Sequence, residues 1–127
     1  MPVPRICAIL TNEMQTTFDK VREIALGFPG VAEGTAYGLP AFKVGGQVFA
    51  CLASHKSAEP GSLVVSMDFA QRDELIAEDP DVYYLKDHYV GSPCVLVRLS
   101  RIHPDALRDI LGGAQRFVRR RRRARSK

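Results

Sequence analysis

Apolar residues recur along this chain at two different periods, and the changes of period mark out the elements. From Phe18 to Phe28 the spacing is helical: Phe18, Val21, Ile24, Ala25 and Phe28 fall on one face. Thr16 or Thr17 is placed to cap the start of this helix, and Asp19 sits in its first turn, where the helix dipole favours an acid. Gly27 or Pro29-Gly30 ends it. A loop with Glu33 and Gly34 then leads into TAYGLPAFKVGGQVFACL, Thr35 to Leu52, which reads as a β-hairpin turning at Gly45-Gly46. Two glycines accept the positive φ angles of a two-residue hairpin turn. That turn sets Val44 opposite Gln47, Lys43 opposite Val48 and Phe42 opposite Phe49, and directly opposed residues share a face. The face with Phe42, Val44, Phe49 and Cys51 is predicted to meet the core. The face with Ala41, Lys43, Val48 and Ala50 is smaller and mixed, and is predicted to be partly wet. Pro40, which cannot donate to a ladder, suits the start of the first strand.

The rest of the chain continues the alternation of types. ASHKSAEPG is a polar loop leaving through Pro60-Gly61, and Ser62 to Met67 is a β-branched run that reads as a strand. Asp68 caps a second helix, with Gln71 three residues on as in a capping box; Phe69, Leu75 and Ile76 supply its buried stripe and Pro80 stops it. Val82 to Leu85 is a short apolar and aromatic piece, followed by Lys86-Asp87-His88-Tyr89 and a turn at Gly91-Ser92-Pro93. Cys94 to Ile102 is the clearest isolated strand, Val95, Val97 and Leu99 facing one way and Cys94, Leu96 and Arg98 the other. Pro104 fits the first turn of a last helix, entered through His103, whose stripe is Leu107, Ile110, Leu111, Ala114, Phe117 and Val118. Gly112-Gly113 inside that stripe costs about 1 kcal/mol per glycine against alanine, which predicts a kink, a close contact or an early helix end. The order of elements is that of an α+β domain: an antiparallel β-sheet with flanking helices. Residues 1–15 read as an N-terminal arm, loose or forming a short edge strand, residues 16–118 as the domain, and residues 119–127 as an arginine-rich tail.

Length and charge narrow the classes. The 127 residues suffice for one domain with a real core. No window approaches the ~18 consecutive apolar residues of a membrane helix, and the run Ile6 to Leu10 is too short and broken for a secretory signal. Cys7, Cys51 and Cys94 are odd in number and widely spaced, which argues against a disulfide framework or a zinc site and for thiols in a reducing cytoplasm. Of 18 basic residues, eight lie within residues 116–127, where there is no acid; the other ten share residues 1–115 with all 14 acids, so that part carries a formal −4. An electrostatic case for an anionic partner therefore rests on the tail.

Three stretches together resemble the MmcQ/YjbR family: FPGVAEGTAYGLPAFKVGGQVFACL, DFAQRDELIAEDPDVYYLKDHY and GSPCVLVRLSRIHPDALRDIL. The resemblance runs from about Phe18 to Val118 and implies the CyaY-like (frataxin-like) α+β fold. Family members are commonly described as DNA-binding, and the family brings no catalytic residues to carry over. The arginine tail lies beyond the resemblance.

The candidate chemistry is that of binding. Arg116, Arg119, Arg120, Arg121, Arg122, Arg123, Arg125 and Lys127 can neutralise several phosphates, and arginine forks onto phosphate oxygens in pairs. The signal is blind to sequence, and RNA, anionic lipid or an acidic protein would be served nearly as well as DNA. Lys43 on the hairpin could meet the phosphate backbone as a wing. Thr35, Tyr37, His88, Tyr89 and Arg98 make a possible second surface, which with Lys43 gives the alternative reading of a small-ligand or protein-binding module. His55, His88 and His103 show no metal-binding spacing, and no cofactor is expected. A frataxin-like acidic ridge is missing, since the first helix offers only Asp19 and Glu23 with Lys20 and Arg22 between. Cys51 and Cys94 lie in apolar runs that raise a thiol's pKa, and no nucleophile motif, Walker loop or dinucleotide fingerprint occurs, so the chain is read as a cytoplasmic, non-catalytic nucleic-acid-binding protein, DNA first.

Overall fold

The computed structural model describes residues 16–125. The N-terminal arm, with Cys7, and Lys127 lie outside them. Helix α1 spans Phe18–Leu26, capped by Thr17, whose Oγ1 accepts from the Lys20 N–H at 3.4 Å. Thr16 is buried and donates instead to the Ile102 carbonyl, tying the helix entry to the far end of the domain. Strands β1 (Val31–Ala36), β2 (Leu39–Val44) and β3 (Gln47–Leu52) follow as a meander, then β4 (Ser62–Ser66) and helix α2 (Phe69–Glu78). The two-residue strand β5 (Tyr83–Tyr84), the single turn α3 (Asp87–Val90), β6 (Cys94–Arg98) and the long helix α4 (Pro104–Arg125) complete the domain. The six strands form one antiparallel sheet in the order β1-β2-β3-β4-β6-β5. The fold is α+β, as the sequence predicts.

The sheet separates two apolar clusters. The larger joins Val21, Phe42, Phe49, Leu63, Val97 and Leu111 with their neighbours, where α1, α2 and α4 lie on one face. The smaller, on the outer face, gathers Tyr84, Tyr89, Cys94 and Leu96 under α3 and the loop after β3. The alternation read in the last strand holds: Val95, Val97 and Leu99 join the main core, while Cys94 and Leu96 join the second cluster.

Four expectations are corrected. Glu33 and Gly34 are not in a loop but in β1, which pairs with β2 along its length. The turn between them is Tyr37-Gly38, both residues at positive φ (54° and 79°) as a tight hairpin requires. Second, Phe42 lies opposite Ala50, not Phe49. The pairs Val44–Gln47 and Lys43–Val48 form as expected, and then the register slips by one. Phe49 is the extra residue of a β-bulge, so Phe49 and Ala50 are both buried in the main core and Cys51 turns to the outer face beside Ala41. Third, Phe69 is 46% exposed rather than buried, its ring 4.7 Å from the Arg72 guanidinium. Arg72 takes the inward place because its Nη1 finds the Val90 and Ser92 carbonyls at 3.0 and 3.2 Å. Fourth, β6 ends at Arg98, and the chain turns before Ile102.

Helix α4 runs unbroken through Gly112-Gly113 and on through the arginines to Arg125, about 33 Å at 1.5 Å per residue. No break falls at the boundary between residues 118 and 119. Of the outcomes read for the two glycines, neither a kink nor an early end occurs, and a Cβ at Gly112 would make only ordinary contacts, 3.4 Å from Arg116 Nη1 and 3.5 Å from Phe28 Cζ. At Gly113 the nearest atoms would be 4.0 Å away. Gly113→Ala is therefore expected to stabilise the fold by about 0.5–1 kcal/mol, read as a higher urea midpoint at unchanged slope.

Candidate functional site

One row of residues crosses the outer face of the sheet: Gly34, Ala41, Cys51, Val64, Leu96 and Tyr84, each paired with the next. Its first three members are small, so the face is hollow there. Beside them lies a cavity of about 540 Å³ with Cys51, Val64 and Cys94 at its base. His55, His88 and Tyr89 line it from the loop after β3 and from α3, Tyr37 from the β1–β2 turn, and Arg121 from the last turns of α4. Ser54, Ser66 and Ser92 add hydroxyls.

The lining is held by local bonds. The imidazoles of His55 and His88 stack at 3.8 Å with planes 10° apart, and Tyr89 meets both edge-on. His55 Nδ1 accepts from the Ser57 N–H at 3.1 Å, and the His55 backbone N–H donates to the Tyr89 hydroxyl at 3.3 Å. Loop and helix turn are thereby fastened to each other. Tyr37 is 89% exposed. Burial pushes the Cys51 thiol up to about 11, and burial likewise raises Cys94, so both are neutral at physiological pH. Among the described residues no group of three His, Cys, Asp or Glu side chains is placed to hold a metal ion.

The residues singled out in the sequence are thus divided. Tyr37, His88 and Tyr89 come together at the cavity, joined by Arg121 from the arginine run. Thr35 is exposed on β1, opposite Pro40. Lys43 lies over Gly34, its Cε 3.4 Å from where a Cβ would stand. Arg98 is committed to the fold: Nε and Nη2 fork onto Glu59 at 2.9 and 2.8 Å, and Nη1 donates to the Pro80 and Asp81 carbonyls. Its guanidinium also covers the Tyr84 ring at 4.2 Å. His55 and the three serines were missed, because nothing in the spacing of their three distant segments shows that they meet.

On α4, Arg116, Arg120 and Arg121 are exposed. Arg119 is partly buried, with Nε on Gln115 Oε1 at 2.7 Å and Nη2 on the Pro29 carbonyl. Arg121 lies over the Phe117 ring at 5.5 Å. The side chains of Arg122, Arg123 and Arg125 lie outside what the structure describes. No helix of the described residues is long and apolar enough to cross a membrane.

A family model, YjbR, matches residues 26–114, most of the chain. The chain belongs to the YjbR family. The match covers the whole sheet and ends before Arg116, so the basic end of α4 lies beyond it. Among solved structures the chain is similar to Deinococcus radiodurans protein DR2400, described as carrying a DUF419 domain. The identity is 21%, the TM-score 0.64, and the match covers 79% of this chain and 76% of that one. At that identity the likeness concerns the fold. No curated protein matches the chain.

Two predictions follow from the bonding of this region. The Arg98 fork holds the Glu59 carboxyl below its ordinary 4.5, and the Arg22 fork does the same for Glu33. A carboxylate with a lowered native pKa contributes stability above its unfolded pKa and loses it as pH falls through the native value. Stability is expected to decline on acidification below 4.5, and Glu59→Gln to lessen the decline in urea titrations at stepped pH. In a Cys7→Ser variant, neither remaining thiol is expected to react quickly with iodoacetamide at neutral pH until the protein is unfolded; rapid native labelling would contradict the raised thiol pKa values.

Proposed function

We propose that the protein binds nucleic acid, DNA in the first place, through the basic last turns of α4, and does no chemistry on it. The observation that carries this reading is that the arginines extend a helix rather than trail from it. Arg116, Arg120 and Arg121 are exposed on this helix, and the basic residues that follow in the sequence add to the positive charge of its end. The helix leaves a body whose formal charge is −4 over residues 1–115, so most of the attraction for phosphates comes from one end of the molecule. Lys43, on the outer face, adds a cation that would orient the body against the backbone. The neutral thiols of Cys51 and Cys94 support binding rather than nucleophilic catalysis. Among the described residues both cysteines are free, as suits a reducing cytoplasm.

The test keeps Arg119, which fastens α4 to Pro29, and replaces Arg120, Arg121, Arg122, Arg123 and Arg125 by glutamine in the full chain. Binding to a DNA duplex is then measured against salt. Each neutralised phosphate contributes about 0.9 to the slope of log K on log salt, so the variant is expected to lose about 4.5 from that slope and most of its affinity. An unchanged slope would refute the role of α4.

A further inference from the structure

We propose that the outer-face cavity receives an unpaired nucleotide of the same nucleic acid whose phosphates the end of α4 holds, so that the protein engages single-stranded segments. The inference rests on the nucleic-acid reading and adds to it a second contact of a different chemistry.

Tyr37 is the first observation. Its ring is 89% exposed and packs no core, yet it occupies a backbone position at φ 54°. That region costs a residue with a Cβ about 1 kcal/mol or more and is ordinarily given to glycine or asparagine. A large aromatic in such a turn is not explained by packing. It is explained by a ligand that uses the ring's face.

The rest of the cavity fits the same ligand. A nucleobase has two flat apolar faces and a polar edge. The stacked His55–His88 pair and Tyr37 are planar groups lining one hollow, whose base of Cys51, Val64 and Cys94 is apolar and low. Ser54, Ser66 and Ser92 place hydroxyls around it, each able to donate and to accept, which suits the mixed edge of a base without selecting one base. The volume, about 540 Å³, lies in the range of small-ligand sites.

Arg121 connects the two contacts. It lines the cavity and belongs to the arginine run, so a nucleotide in the hollow would have its phosphate beside a guanidinium and the next phosphates beside the rest of the helix end. A duplex cannot use this arrangement, because its base faces are already stacked on one another. An unpaired strand can, as aromatic side chains on an open sheet face are a general means of holding splayed bases. The comparable hollow of about 550 Å³ between the start of α1, the loop before β4 and the turn after β6 offers no such case, since its Arg98 is already saturated by Glu59 and two carbonyls.

The experiment is fluorescence anisotropy of the full chain with a labelled oligonucleotide about 12 nucleotides long, single-stranded and annealed to its complement. The single strand is expected to bind about tenfold more tightly than the duplex. Tyr37→Ala is expected to remove about tenfold from single-strand binding and nothing from duplex binding, while Tyr37→Phe, which keeps the ring, retains the preference. The exposure of Tyr37 makes these variants safe for folding. Equal affinity for the two forms, or a single-strand preference untouched by Tyr37→Ala, overturns the cavity's role while leaving the phosphate contacts of α4 in place. Binding to neither form overturns both.

Discussion

The β-bulge at Phe49 sets the two faces of the sheet, and the rest of the molecule is arranged around that assignment. A one-residue change of register exchanges every side chain beyond it between core and solvent. Here the exchange works twice in favour of burial. Phe49 and Ala50 both enter the main core opposite Phe42, and a fully buried phenylalanine contributes about 2–3 kcal/mol by area. Cys51, released from the core, falls into line with Ala41 and Val64 on the outer face. Without the bulge, Ala50 would lie on the outer face and a thiol in the core. The hollow of the outer face therefore follows from a device that serves the inner one.

Helix α4 links that core to the charge of the molecule. Its stripe of Leu107, Ile110, Leu111, Ala114 and Val118 is buried, and the Phe28 ring packs beside it at Gly112. Anchored in this way, the helix continues past Val118 with no further core to cover. The continuation is favoured locally. Asp105 stands in its first turn and the arginines in its last turns, the arrangement that a helix dipole favours at both ends. Arg119 closes the last packed turn onto Pro29, next to a glycine at φ 77° whose missing Cβ leaves the guanidinium its place.

Much of this was legible in the chain because hydrophobic period and turn chemistry agree over most of it. Helix α1 with its threonine cap, the Gly45-Gly46 hairpin, β4, the alternation of β6 and the stripe of α4 all follow from residues within a few positions of one another. What escaped depends on distant partners. Strand β1 was hidden because it is an edge strand, and edge strands carry polar and small residues that blur alternation; Glu33 is held there by Arg22, which comes from α1. The bulge was hidden because either register of β3 buries Phe49, and only the β3–β4 pairing decides between them. Phe69 and Arg72 exchanged places because two carbonyls near Pro93 made an arginine cheaper to bury than periodicity allows. The cavity draws on the β1–β2 turn, β3 and β4, the loop before β4, α3 and α4, and no local pattern joins them.

A residue's chemistry alone does not mark it as functional; what its groups are already bonded to decides. Arg98 and Arg121 are the same side chain, and both lie near an aromatic ring. Arg98 spends Nε and both terminal nitrogens on Glu59 and the Pro80 and Asp81 carbonyls, which locks the loop before β4 and the segment before β5 to the sheet edge. A phosphate reaching it would have to displace a forked carboxylate. Tyr84 and Tyr37 divide in the same manner. The Tyr84 hydroxyl accepts from the Glu59 N–H at 2.9 Å and bonds Ser62, and its ring lies under Arg98; Tyr37 presents its ring to solvent from a turn that needs no aromatic. This chain uses Arg98 and Tyr84 at the β5–β6 edge to fasten the fold. Toward the outer-face cavity the same two residue types, Tyr37 and Arg121, line one hollow, and a cation together with an exposed ring is a pairing that single-stranded nucleic acids commonly use.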